Sequence, residues 1–468
     1  MNPPNSTLAK PQELSNPDKV TVGILLSIAA LAAEGMGVVP ALPSAVRALD
    51  GLRLLGVVFS SFMLAWLFGT VVAGQLADSY GPRRPMAIGL LGFGFGLLCS
   101  ATAQQMVQFL IGRILQGASG GFILAAAFVT IARGYPESKR PRMIALTSTV
   151  WILPAVVGPS LSGWVVEHVG WRLVFAGVLP ILAIAALLVV PPLGSLSIRK
   201  PWITSVRLPA AMRLAIGMGL FIYSLSQVAQ QFLWASCGIG VGLCLILPTL
   251  RTLLPEGTLR GQPVLPLGVL ARGLLGFAFF GTEAFIPIAS GELRGASPMR
   301  AGLALSVAAL GWTAASWAIE RARHSSHPLR QRMNFVEAGF AFQLVGIACV
   351  LATLLSNIHF LGIPFGWALS GLGMGLGHSA ASLLCIASAP KGQEGTVSAQ
   401  LQLCEALGIA LGTGLGGAIR TVLMDHGSTA REATTATFAM TMTAAILGVF
   451  LFHRGKSDDS VRSSSHGR

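Results

Sequence analysis

The sequence predicts an all-α polytopic membrane protein, and two observations carry this prediction. Of the 468 residues, 53% are apolar and only 11% are charged, against about 25% charged residues in an average soluble domain. Apolar runs of about 20 residues also recur along the chain, each long enough to cross about 30 Å of hydrocarbon as a helix. A membrane β-barrel would show alternating segments of about 10 residues, so continuous runs rich in Leu, Ala and Gly favour helices.

Fourteen apolar runs are separated by charged residues or by Pro and Gly. We expect membrane spans near residues 20–44, 54–77, 84–103, 105–132, 143–166, 171–192, 209–231, 233–254, 267–291, 299–320, 333–356, 358–388, 395–423 and 431–452. The seventh and eighth runs are joined by only a few residues around Trp234. Twelve or thirteen spans are therefore the alternatives to fourteen.

The basic residues predict how the chain is oriented. The net charge of +14 does not indicate nucleic-acid binding, because Lys and Arg stand in short gaps between apolar runs and not in a patch with stacking aromatics. With fourteen spans and a cytoplasmic N-terminus, 23 of the 32 basic residues fall on the cytoplasmic face and seven outside, leaving Arg113 and Arg272 within spans. This asymmetry predicts a multi-pass protein of the bacterial inner membrane with both termini cytoplasmic. We expect the first span to remain in the mature protein.

The loops are short, so we expect no soluble catalytic domain. The predicted organisation is a cytoplasmic N-terminal tail (1–19), an N-terminal six-helix bundle (20–192), a linker with two extra transmembrane helices (193–260), a C-terminal six-helix bundle (261–452) and a disordered cytoplasmic tail (453–468). The tail is rich in Ser and charged residues, a composition typical of disorder.

The most specific motif runs from Gly74 to Arg84 between the second and third spans. Gly81 permits a tight turn, and the carboxylate of Asp78 is expected to pair across it with Arg83 or Arg84. The motif resembles the loop G-x-L-A-D-R-x-G-R-(R/K)-(R/K) of the major facilitator superfamily. That resemblance implies the major facilitator fold, two helix bundles that rock against each other, with this loop as a conformational latch. The alternative is a solvated cytoplasmic anchor.

Arg113 interrupts the apolar fourth span. An unpaired guanidinium at membrane depth costs several kcal/mol, so Arg113 must face protein or water. The superfamily carries a similar arginine in this span, which implies a part in proton transfer. A purely structural ion pair is the alternative.

The fifth span contains Pro154, Gly158, Pro159 and Gly163, a pattern that resembles the antiporter motif G-x-x-x-G-P-x-x-G-G of drug-efflux families. Pro154, Gly158 and Ser162 fall on one stripe that lets a neighbouring helix approach, and Pro159 permits a bend. The resemblance implies export by exchange, as in the fourteen-helix drug/proton antiporter branch. A generic packing helix is the alternative.

Three glutamates lie well away from the ends of the predicted spans: Glu34, Glu283 and Glu405. Burial favours the neutral form of a carboxyl group, so such a residue can take and release protons near neutral pH. The drug-antiporter branch places an acid in the first helix before a similar A-L-P, which makes Glu34 the first candidate for proton coupling or cation contact. The alternative for each glutamate is a neutral, hydrogen-bonded structural role.

Other intramembrane features are interpreted as structural. The small-xxx-small pairs Gly371/Gly375, Gly373/Gly377, Gly408/Gly412 and Gly412/Gly416 predict close helix packing. His378 is isolated in the sequence and is interpreted as structural. Aromatic residues such as Phe279 and Phe280 could line an apolar cavity or face lipid.

These features predict a proton-coupled exporter of amphipathic or cationic small molecules. No phosphate-binding loop and no hydrolase motif occurs in the sequence, so we expect neither ATP-driven transport nor enzymatic activity. None of the six cysteines has metal-ligand spacing, and we expect no cofactor, no metal and no nucleic acid. The expected partners are a small-molecule substrate, protons and the bilayer, and we expect a monomer. The alternatives are an exporter of a single metabolite or natural product and a non-transporting receptor.

Overall fold

A computed structural model describes residue 14 and residues 16–196, 207–253, 265–321, 328–356, 358–389 and 394–465. The regular elements in these ranges are α-helices with two short 3-10 helices, at Leu52–Leu54 and Pro192–Leu196. The α-helices are α1 (Pro17–Ala48), α2 (Leu55–Tyr80), α3 (Arg83–Ala101), α4 (Met106–Gly134), α5 (Arg140–Thr149), α6 (Ile152–His168), α7 (Arg172–Ala176), α8 (Leu179–Val189), α9 (Arg207–Ser226), α10 (Phe232–Leu253), α11 (Leu265–Glu283), α12 (Ile286–Arg294), α13 (Pro298–Arg321), α14 (Pro328–Leu355), α15 (Gly362–Ala387), α16 (Glu394–Asp425) and α17 (Ala430–Ser465).

The described residues form fourteen helical segments long and apolar enough to cross a membrane, which confirms the predicted number. Their ends lie within about five residues of the predicted ones. Three spans are each built from two consecutive helices: α5 with α6, α7 with α8, and α11 with α12.

The helices form two bundles. Helix α4 packs between α2 and α3 in the N-terminal bundle, where α1 packs on α6 and α8. In the C-terminal bundle α15 packs between α13 and α14, and α11 packs on α15, α16 and α17. The extra pair α9 and α10 forms a hairpin in which α9 lies against α2 of one bundle and α16 of the other. The predicted architecture of two six-span bundles with a two-helix insert is therefore confirmed.

Glycines bring the helices of the C-terminal bundle into close contact, as predicted. A Cβ added to Gly371 or Gly375 would meet the backbone of α13, and one added to Gly373 would meet the backbone of α14. Gly408 and Gly412 lie against the backbone of α11 in the same way. These glycines therefore set the helix spacing around α11 and α15.

The two bundles are joined at one end of the molecule. Ser160 Oγ lies 2.7 Å from Ser306 Oγ, and Arg53 forms an ion pair with Asp425 at 2.9 Å. These two contacts, the hydrogen bond between Met299 N and Glu167 and the ion pair between Arg47 and Glu292 lie toward the end opposite the 74–84 loop. We call this end the joined end.

Several predictions concern chain ends and connectors. Helix α17 continues to Ser465, which differs from the disordered tail predicted from residue 453; a polar helical extension follows the last apolar span. The predicted tail before residue 14 lies outside the described residues, as do the parts of the predicted linker at 197–206 and 254–260.

Candidate functional site

Glu34 and Arg113, which the sequence placed in separate spans, form one buried ion pair. Arg113 Nη1 donates to Glu34 Oε1, and the side chains are 3% and 1% exposed. The structure thus provides the protein partner that an arginine at membrane depth requires. Although both residues were predicted as functional, the spacing of the sequence did not indicate that they contact each other.

Polar and aromatic side chains fix the Arg113 guanidinium. Its Nη1 also donates to Gln116 Oε1 at 2.6 Å, and Gln116 Nε2 donates to Ser100 Oγ at 3.2 Å. The ring of Phe62 lies beneath the guanidinium, 4.3 Å away. Glu34 Oε2 is buried and has no hydrogen-bond partner among the described residues. One carboxylate oxygen of Glu34 therefore binds the arginine, while the other has a free site for a proton.

A second charged cluster lies in the C-terminal bundle. Arg272 Nη2 donates to Glu405 Oε2, and Arg272 Nη1 donates to Ser382 Oγ at 2.6 Å. His378 Nε2 lies 3.2 Å from Glu405 Oε1, and the His378 ring packs against Trp312 with centroids 5.3 Å apart. His378 is therefore a member of a polar cluster and not an isolated residue.

The two clusters differ in exposure. The Glu405 and His378 side chains are 18% and 24% exposed, whereas Glu34 and Arg113 are sealed among helices of the N-terminal bundle. Each bundle thus holds an arginine–glutamate pair at membrane depth, one closed and one partly open to solvent.

Glu283, the third membrane glutamate, is not brought together with either cluster. It is the last residue of α11 and is partly exposed. Its carboxylate has no ion pair or hydrogen bond within the described residues. The structure therefore separates the three predicted glutamates into two that are paired with arginines and one that is not.

The structure corrects the predicted pairing in the 74–84 loop. Asp78 Oδ1 accepts from Arg133 Nη2 at 2.8 Å, and Arg133 Nη1 donates to the Ala77 carbonyl at 3.1 Å. The predicted partner Arg84 instead lies over the Tyr80 ring at 4.3 Å. The reason is geometric: Asp78 lies in the last turn of α2, facing the end of α4, while the turn carries the following arginines away from it.

The remaining residues of this loop have the predicted backbone roles. Gly81 adopts φ 79°, in the region that favours glycine, and it ends α2 as the tight turn requires. Arg83 begins α3. A Cβ on Gly74 would meet no atom within 4 Å, so this glycine is not needed for packing in the conformation described.

The predicted antiporter motif on α6 serves two interfaces. Gly158 faces Met36 of α1, and Ser162 Oγ donates to the Gly37 carbonyl. Pro159 and Gly163 instead lie against the other bundle, where the Pro159 carbonyl meets Gly302 and Gly163 meets Pro298 of α13. Pro154 is partly exposed near the start of α6. The motif therefore packs α6 on α1, beside Glu34, and on α13 across the bundle boundary.

Sequence reasoning missed the ion pairs at the joined end. Glu292 accepts from Arg420 at 2.5 Å within the C-terminal bundle and lies 3.7 Å from Arg47 of the N-terminal bundle. The second pair, between Arg53 and Asp425, also crosses the boundary. The predicted outer loops contained these arginines, but only the folded arrangement of the bundles shows which acids they meet.

Two helix bundles joined at one end, each with a paired arginine and glutamate at membrane depth, define a polytopic transporter fold. The family model of the Major Facilitator Superfamily matches residues 24–413. The chain belongs to this superfamily.

Curated relatives include proteins named for drug efflux. The chain is 28% identical over 305 residues to multidrug resistance protein 3 of Bacillus subtilis, covering 62% of this chain and 59% of that protein. It is 24% identical over 394 residues to a probable multidrug-efflux transporter of Mycobacterium tuberculosis, with 81% and 82% covered. The alignments span between 40% and 59% of the length of the first four relatives.

Solved structures share the fold. The POT family transporter PepTSo superimposes with a TM-score of 0.65 at 16% identity, covering 95% of this chain and 99% of that one. The human organic anion transporter MFSD10 gives a TM-score of 0.57 at 17% identity, with 93% and 99% covered. At these identities the likeness concerns the fold alone.

Proposed function

We propose that the protein is a proton-coupled antiporter that exports amphipathic, cationic small molecules by alternating access, and that it is not an enzyme. The observation that carries this proposal is the buried pair of Glu34 and Arg113, in which Glu34 Oε2 has no hydrogen-bond partner within the described residues. A carboxylate held this way can exist either charged and paired or protonated and neutral, which is the chemical requirement for proton coupling.

Protonation of Glu34 would weaken its attraction to Arg113 and leave the guanidinium with Gln116, 2.6 Å away. A buried charge that loses its counter-ion raises the energy of that conformation by several kcal/mol. The conformation with Glu34 protonated is therefore expected to relax by moving helices around α4. Proton binding would in this way supply the free energy that changes the state of the transporter.

A continuous set of contacts connects Glu34 with the boundary between the bundles. Ser162 of α6 donates to the Gly37 carbonyl, three residues after Glu34 on α1. Two residues earlier on α6, Ser160 contacts Ser306 of α13 at 2.7 Å. A shift of α1 on protonation would therefore act on α6, and through α6 on the contact that holds the bundles together.

We assign the joined end to the outer face of the bacterial inner membrane. The charge asymmetry of the loops supports a cytoplasmic position for both termini and for the 74–84 loop. With this assignment the contacts at the joined end close the outer side of the protein, as in the state in which an exporter would collect its substrate from the cytoplasm. The ion pair of Asp78 with Arg133 lies at this cytoplasmic end and ties α2 to α4.

The cargo class is inferred from the relatives and from partly exposed side chains of the C-terminal bundle. Several relatives are named multidrug transporters, and the partly exposed side chains of Glu283, Phe280 and Trp312 combine negative charge with aromatic surface. Such surfaces favour organic cations.

A second candidate function is export of a single natural product. The observation that favours it is 26% identity over 422 residues to the transporter of the acurin A biosynthesis cluster of Aspergillus aculeatus, covering 86% of this chain and 74% of that protein. The same scaffold would then recognise one metabolite instead of a class of amphipathic cations.

Proteoliposomes with an imposed pH gradient test the proposal. Substrate-driven proton release is measured for a panel of cationic dyes, biocides and neutral metabolites. We expect several unrelated cations to release protons, and we expect Glu34→Gln to abolish gradient-driven uptake while Glu137→Gln, on an exposed surface pair, leaves it unchanged. Response to one metabolite alone would favour the second candidate, and full activity of Glu34→Gln would remove Glu34 from the mechanism.

A further inference from the structure

Glu283 lies where one membrane span is broken between α11 and α12. Residue 287, four positions on, is a proline without an N–H, so the Glu283 carbonyl lacks the donor that continues a helix. Phe285 N instead donates to the carbonyl of Thr282, three residues earlier, at 3.0 Å. The break thus presents a carboxylate and a carbonyl, both of which attract a cation.

The stripe of α11 that carries Glu283 faces the interior and not the lipid. Arg272, Gly276 and Glu283 recur at helical spacing on one face of α11, with Phe279 and Phe280 beside it. Arg272 binds Glu405, and Gly276 packs against the Glu405 backbone. The same stripe that holds the charged cluster of the C-terminal bundle therefore leads to Glu283.

Aromatic rings adjoin the break. The rings of Phe279 and Phe280 lie 5.8 and 6.4 Å from the ring of Trp312, and Phe280 and Trp312 are partly exposed. Phe280 precedes Glu283 by one helical turn. A cation at Glu283 would therefore have aromatic faces within reach, as organic ammonium groups prefer.

Glycine contacts between α11 and α16 show how close Glu283 lies to the contact between the two bundles. Gly281 of α11 packs against Gly412, and Gly416 packs against Phe285, which follows Glu283 by two residues. The next residue of α16, Gly417, meets Gly56 of the N-terminal bundle. Glu283 is therefore within about one helical turn of the place where the bundles meet.

We propose that the break between α11 and α12 binds the positively charged nitrogen of the transported molecule, with Glu283 as the counter-ion and Phe280 and Trp312 against its apolar part. The inference rests on the proposed function, since it takes the bound cation to be the cargo. Glu34 and Glu405 are each neutralised by an arginine, so of these three glutamates Glu283 is the one that can accept a cation without displacing a described protein partner. An organic ammonium fits better than a metal ion, because the rings of Phe280 and Trp312 adjoin the break.

Equilibrium binding of ethidium to the purified protein in lipid nanodiscs tests this site. We expect Glu283→Gln to weaken binding at least tenfold and Glu283→Asp, which keeps the charge, to weaken it less. The matched control Glu137→Gln removes an exposed surface carboxylate and is expected to bind as the wild type does. Binding by Glu283→Gln within twofold of the wild type, or equal losses in the Gln and Asp variants, would overturn the inference.

A second pair of variants keeps the test valid if Glu283→Gln does not fold. Trp312→Phe retains an aromatic face and is expected to bind ethidium within about threefold of the wild type, whereas Trp312→Leu is expected to lose at least fivefold. Equal binding by the two variants would refute the aromatic half of the site. Displacement of ethidium by sodium but not by potassium would indicate an alkali-metal site and would also refute the assignment.

The failure of this inference differs from a failure of the proposed function. If the wild-type protein binds none of ethidium, tetraphenylphosphonium and rhodamine 6G, the cationic cargo itself is wrong. If the wild type binds these cations and Glu283→Gln binds them equally well, only the location of the site is wrong.

Discussion

Arg53 of the N-terminal bundle and Asp425 of the C-terminal bundle form an ion pair of 2.9 Å across the joined end. The amide oxygen of Gln230, in the turn between α9 and α10, accepts from Arg53 Nη2 at 3.1 Å. The two-helix insert therefore contributes to the same contact, while its helix α9 packs on α2 and α16. The joined end is held by residues from all three parts of the chain.

We expect removal of these charges to favour the state that is open at the joined end. Glu292→Gln combined with Asp425→Asn removes both acids that face the N-terminal arginines. Exposed ion pairs each contribute about 0.2–1 kcal/mol, so the population ratio should shift several-fold. Spin labels at the exposed positions Val169 and Leu361, one in each bundle, would report a longer distance. Glu137→Gln is the control, and unchanged distances in the double variant would contradict the prediction.

Steric blocking of the joined end provides an independent test. A Cβ on Gly56 would lie 2.8 Å from the Cα of Gly417 in the other bundle, closer than real Cβ contacts allow. We expect Gly56→Val to prevent closure there without unfolding either bundle, because the clash lies between bundles. The control is Gly240→Val, where a Cβ meets no atom within 4 Å. The same spin-label distance should lengthen for Gly56→Val alone, and a closed distance in that variant would count against this contact.

The fold was predictable from the sequence because membrane burial leaves a one-dimensional signal. An apolar run must be helical to satisfy its backbone in lipid, so run length and loop charge determined the number of spans. Glycine spacing likewise predicted the close approach of α15 and α16 to their neighbours. The spacing that includes Gly371 or Gly412 can be recognised within a single helix, without knowing which helix packs against it.

The pairing of charges was not predictable in the same way. Arg113 and Glu34 are 79 residues apart, and Arg272 and Glu405 are 133 apart, so their contacts depend on how helices rotate about their axes. For Asp78 the predicted pairing was wrong. Arg83 or Arg84 was expected as its partner, whereas Asp78 pairs with Arg133 at the end of α4.

The ion pair between Asp78 and Arg133 is expected to affect the rate of transport much more than the stability of the protein. The Asp78 side chain is 76% exposed and that of Arg133 is 37% exposed, so Asp78→Asn should change the free energy of unfolding by less than about 1 kcal/mol. We expect the transport rate to fall, because the pair ties α2 to α4 at the end that must close. The charge swap Asp78→Arg with Arg133→Asp should recover part of the rate. No recovery in the swap, with both proteins folded, would argue against the ion pair as the latch.

The buried pair of Glu34 and Arg113, unlike the exposed pair of Asp78 and Arg133, is expected to have a large effect on the stability of the protein. Arg113→Met leaves Glu34 buried without its counter-ion, and breaking such a pair costs about 3–5 kcal/mol. Replacing both residues by Met removes both charges, so the double variant should be markedly more stable than Arg113→Met. Thermal unfolding followed by tryptophan fluorescence measures the order of stabilities, with Arg140→Met at an exposed ion pair as the control.

Transport by the same variants separates packing from chemistry. The double methionine variant restores an apolar interior but has no group that can carry a proton at this position, so we expect it to fold and yet fail to accumulate substrate against a pH gradient. A double variant as unstable as the sum of its single variants would mean that the two charges do not interact. A stable double variant with full gradient-driven transport would place the proton at another residue, and Glu405, beside His378, would be the next to test by the same comparison.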